Sequence, residues 1–100
     1  MADSKIYTLT ETLYKVTDRM DDRESLKWRL RDAALELSDV FSGNGNNLSF
    51  REESQLIEKK AVLFERIENM LKIISSVSYL ARVNFDKLAS EYEVLAKMPA

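Results

Sequence analysis

Apolar positions recur with helical spacing along almost the whole chain. Ile6, Leu9, Leu13, Val16 and Met20 repeat at intervals of three and four, which lines them up on one face of a helix. Ser4 is its expected N-cap. A second stripe holds Leu26, Leu30, Ala33, Leu37 and Val40, opened by Asp21 and Glu24 at capping-box spacing and stopped at Gly43.

The segment Gly43-Asn44-Gly45-Asn46-Asn47 has residues that tolerate turns, and it marks the main loop. Ser49 and Glu52 then form a second capping box, ahead of a third stripe through Leu56, Leu63, Ile67, Met70, Ile74 and Val77. Ser75, Ser76 and Ser78 weaken its end. Asn84 is the expected cap of a last helix with Phe85, Leu88, Tyr92 and Leu95, with Val83 and Leu88 spaced for a hydrophobic staple and Pro99 just beyond.

These elements predict helices over approximately 5–20, 22–42, 50–78 and 85–97. Short connections and three-to-four spacing favour an all-α fold, an antiparallel up-down-up-down four-helix bundle in one domain over 1–100. Two glycines and one proline among 100 residues leave little material for a strand-rich alternative.

Charge changes the picture by subtraction. Fifteen Lys plus Arg oppose seventeen Asp plus Glu, a net charge of -2, whereas a phosphate-backbone binder needs clustered cations. The chain has no Cys and no His, which removes disulfides, thiolate nucleophiles, imidazole bases and the Glu-x-x-His di-metal sites that bundles often hold. Acidic pairs such as Glu52 with Glu53 stand at helix starts, where the dipole favours them. Ser25 with Lys27, and Ser54 with Lys59, have no motif around them. No catalytic, cofactor or metal site is expected, and a chain without an apolar span or signal segment is expected in the cytoplasm.

The second helix departs from a one-faced pattern. At 100° per residue, Trp28 and Leu35 fall opposite the stripe, with Arg31 on one border and Asp32 and Asp39 on the other. On the third helix, Val62 and Ile73 likewise lie off the stripe beside Arg66, and Tyr7 and Tyr14 widen the first. Central helices touching two neighbours, with Trp28 covering the bundle edge, would explain this surplus. The functional reading is an interface centred on Trp28, Arg31 and Leu35, with Val62 and Ile73, because Trp and Arg dominate interface hot spots. The expected partner is a second copy or another protein. The alternative is a nucleic-acid accessory protein using Lys27, Arg29, Arg31, Lys59, Lys60 and Arg66; Lys27, Arg29 and Arg31 spread around their helix and are diluted by Asp32, Glu36 and Asp39.

Leu13-Tyr14-Lys15-Val16-Thr17-Asp18, followed by Leu26-Lys27-Trp28-Arg29-Leu30-Arg31-Asp32-Ala33-Ala34, resembles the four-helix-bundle family of ribosomal-RNA intervening-sequence proteins and the related accessory variability determinants of retroelements. That family usually continues with Asn-Ile-Ala-Glu-Gly, and Val40-Phe41-Ser42-Gly43-Asn44 holds the place here. The same stretches, with Asn84 to Tyr92, look closer to uncharacterised helical domains of candidate-phyla bacteria, which in longer relatives precede a helix-turn-helix. The resemblance implies a bundle that is the assembly or sensing half of such proteins, or a stand-alone version.

Overall fold

A computed structural model describes residues 2–42, 48–77 and 82–98. Four helices follow one another: α1 (Ala2–Thr17), α2 (Ser25–Ser42), α3 (Phe50–Val77) and α4 (Arg82–Ala96), and no strand occurs among the described residues. Each helix packs on two others, α1 against α2 and α4, α3 against α2 and α4, so that the four enclose a shared core. The expected glycine-asparagine loop, Ser78 and Pro99 lie outside the described residues.

The four stripes supply that core. Ile6, Leu13, Leu30, Leu37, Ile67, Leu71, Phe85 and Leu88 are all essentially inaccessible to solvent. Phe41, Phe64 and Tyr92 run edge to face across α2, α3 and α4, with centroids 6.1 and 6.5 Å apart. Val77, counted in the third stripe, is instead exposed at the end of α3. Two threonines sit on the apolar face of α1. Their hydroxyls are satisfied locally: Thr10 Oγ1 donates to the Ile6 carbonyl at 2.8 Å and Thr17 Oγ1 to that of Leu13 at 2.7 Å.

Helix boundaries differ from the expected ones at Ser4, Asp21 and Asn84. α1 starts before Ser4, whose carbonyl accepts from Thr8 Oγ1 inside the helix. It ends at Thr17, although Met20 still packs against the core from the connection. The carboxylate of Asp21 is taken by the backbone N–H of Arg23 at 2.8 Å and by its guanidinium. α2 therefore opens later, after Glu24, whose side chain accepts from the N–H of Leu26 at 3.2 Å. The Ser49–Glu52 box forms as expected, with both reciprocal bonds present. α4 begins at Arg82, so Asn84 is internal to it, and Val83 faces solvent, forming no staple.

Candidate interaction surface on the second helix

The last-turn carbonyls of α1 have no partner within their own helix, and that end carries negative dipole charge. α2 brings up two cations one turn apart, Arg31 at that end and Lys27 at the connection beyond it. Lys27 is buried, with Nζ donating to the Met20 carbonyl at 3.1 Å and to Asp22 Oδ1 at 2.6 Å. The Arg31 guanidinium donates from Nε to Thr17 Oγ1 at 2.9 Å and from Nη2 to the Tyr14 carbonyl at 3.1 Å, while its carbon lies 4.4 Å from the centre of the Tyr14 ring. Asp18 stands 4.0 Å from Nη2.

Trp28 is held between these two cations. Its Nε1 donates to the Asp22 carbonyl at 2.8 Å, and the Lys27 and Arg31 charges lie 5.1 and 5.5 Å from its ring. The indole is thus fixed in place while 46% of it stays exposed. Leu35, two turns on, is equally exposed, with the exposed Asp32 and Asp39 on its flank. A shallow depression of about 360 Å³ opens beside Arg31, lined also by Tyr14, Lys15 and Asp18.

Compared with family models, curated proteins and solved structures, the chain matches none.

Val62 and Ile73 are half-exposed on α3, and Arg66 is exposed between them. Trp28 bonds to the α1–α2 connection and Arg31 reaches α1, while α2 meets α3 through Glu36, 3.8 Å from Lys59, and through Phe41. Tyr7 is exposed, and Tyr14 is half-buried beneath Arg31.

The six cations of the nucleic-acid alternative meet different fates. Lys27 holds the α1–α2 connection and Arg31 the end of α1, Lys59 pairs with Glu36, and the Lys60 ammonium lies 4.4 Å from the Phe41 ring centre. Arg29 and Arg66 are exposed and make no ion pair among the described residues. No cluster of three acidic side chains suited to a metal ion occurs among the described residues.

Four groups are shifted by their surroundings, and the hydrogen bonding between Asp21 and Arg23 accounts for two of them, raising Arg23. Arg23, by hydrogen bonding, holds the Asp21 carboxyl below its usual range. Burial, followed by the nearby Glu93 charge, raises Glu68. Tyr92 is enclosed, and its hydroxyl makes no hydrogen bond of acceptable geometry among the described residues. Thr10 is the polar group beside it, but burial outweighs that neighbour and drives the phenol well above its ordinary 10.0.

The clamping role of Lys27 and Arg31 escaped the sequence reading. Its trace was there: cations at i and i+4 in the first turns of α2, after a connection bearing Asp18, Asp21 and Asp22.

Proposed function

We propose that this chain is a non-enzymatic protein–protein interaction module that assembles through the outer face of α2, on an up-down-up-down antiparallel bundle. The observation that carries the reading is the fixed, half-exposed indole of Trp28, with Leu35 two turns beyond it. An aromatic anchor whose rotamer is already set loses little entropy on docking, and desolvated Trp and Arg contribute most to binding at such sites. Val62 and Ile73 add half-exposed apolar side chains on α3. The resemblance to bundle domains that serve as assembly halves points the same way. Its expected setting is the cytoplasm, as an accessory or regulatory factor; no helix among the described residues is long and apolar enough to cross a membrane.

Trp28 is the sole tryptophan, so its emission reports on this surface directly. On raising the protein concentration, or adding a protein partner, emission should move to shorter wavelength as the indole loses water. Leu35→Asp, which leaves the clamp residues untouched, should abolish the shift. Binding that persists undiminished in Leu35→Asp refutes the α2 surface.

A further inference from the structure

α3 outruns α4, its partner along the second half only. Its 28 residues span about 42 Å, against a longest molecular dimension of 45 Å. The hydrogen bond of Ser75 to Asp86 and the edge contact of Phe64 with Tyr92 set α4 along the second half of α3 only. No residue of α3 before Leu63 is fully buried, and of the apolar ones there only Leu56 packs against the core. In this overhang Phe50 is 86% exposed and Ile57 67%. They belong to a seven-residue repeat that continues into Phe64 and Leu71, which are buried. The overhang is the uncovered part of a stripe made for helix packing.

We propose that a second copy of this chain covers it, the two overhangs pairing antiparallel about a two-fold axis. The proposal rests on the self-association reading and deepens it by naming the partner and another contact. The charges argue for this occupant. The heptads 50–56 and 57–63 carry inverted charges: Arg51 is answered by Glu58, Glu52 by Lys59 and Glu53 by Lys60. In an antiparallel pair, a residue flanking the seam faces the same heptad position of the opposite helix. Glu53 then faces Lys60 of the second copy, and Arg51 faces Glu58 of the second copy, with each contact repeated by symmetry.

The same register sets Phe50 against Ala61 and Ile57 against Ser54, so a large side chain meets a small one at each level. A parallel pairing would instead set Glu53 against Glu58. Ser54, Ala61 and the charged flanks are exposed, apart from Lys60, which is half-buried beside Phe41. The helix is already formed and capped by Ser49 and Glu52, so association pays no folding cost. A contact a few turns long sits at the low end of interface sizes, so dissociation in about the micromolar range or weaker is expected.

Sedimentation equilibrium of Glu53→Lys, Lys60→Glu, the double variant and an equimolar mixture of the two single variants tests this, with helical content checked for each. Each single reversal should weaken self-association about tenfold. The double variant should recover it. The mixture should recover it too, because one chain then offers cations and the other anions along the same flank. Arg51→Glu with Glu58→Arg repeats the test away from Phe41. A wild-type dimer indifferent to the single reversals overturns this pairing and leaves the α2 surface to be read by Leu35→Asp. A wild type that stays monomeric to near-millimolar concentration overturns the pairing together with self-association itself.

Discussion

Replacing Arg31 by Leu would show how much the clamp between α2 and the end of α1 contributes. The side chain is 13% exposed, and its guanidinium makes two charge-assisted hydrogen bonds, one to the Thr17 hydroxyl and one to the Tyr14 carbonyl. Each such bond contributes roughly 1 kcal/mol once water is allowed to replace it at this partly open site. The favourable position of a cation at a helix C-terminus adds about 0.5 kcal/mol. A loss of about 2–3 kcal/mol in urea unfolding is therefore expected, equivalent to a fall of about 10–20 °C in Tm for a domain of this size. Arg31→Lys should recover only part of it, since an ammonium cannot reach both acceptors as a planar fork does. Thr17→Val, at a site closed to solvent, completes a double-mutant cycle in which the two changes should couple by about 1 kcal/mol. A coupling of zero, or a loss below about 0.5 kcal/mol for Arg31→Leu, would show that the contact organises nothing.

Tyr92→Phe removes a buried hydroxyl with no hydrogen bond of acceptable geometry, and should leave stability unchanged or raise it by about 1 kcal/mol. The raised folded-state pKa of Tyr92 means that its contribution is complete below the ordinary 10.0 and is lost as pH rises through the folded value. Wild type should accordingly lose stability in alkali faster than Tyr92→Phe, as measured by urea midpoints above pH 10. Leu71→Ala, at a position without solvent exposure where α3 faces the core, should cost about 2–5 kcal/mol by the same assay. Ser49→Ala breaks one half of the α3 capping box and should cost about 1 kcal/mol, seen first as loss of helical signal at the start of the melt.

The stripes were legible because burial of one helix face leaves a periodic trace, and nearly every stripe residue among Leu13, Leu37, Ile67 and Leu88 and their neighbours is buried. Val77 carried the same period beyond the end of its cover. Caps were less legible. Asp21 and Glu24 had box spacing, but a carboxylate takes whichever N–H reaches it first, and Arg23 offered both backbone and side chain. The half-exposure of Trp28 and Leu35 followed from their angle on the helix. What that angle could not carry was the tertiary use of the indole N–H and its cationic neighbours, since their acceptors are carbonyls six to seventeen residues away. The overhang of α3 was hidden for a related reason. Helix length is written locally, but how far the neighbouring helices extend along it is not.

Self-association can be measured with the least intervention by sedimentation equilibrium of the unaltered chain, from low micromolar to near-millimolar concentration. Reversible self-association, weakened by single charge reversals on α3 or by Leu35→Asp on α2, is the expected result. A single monomeric species throughout, with Trp28 emission unchanged, would contradict it.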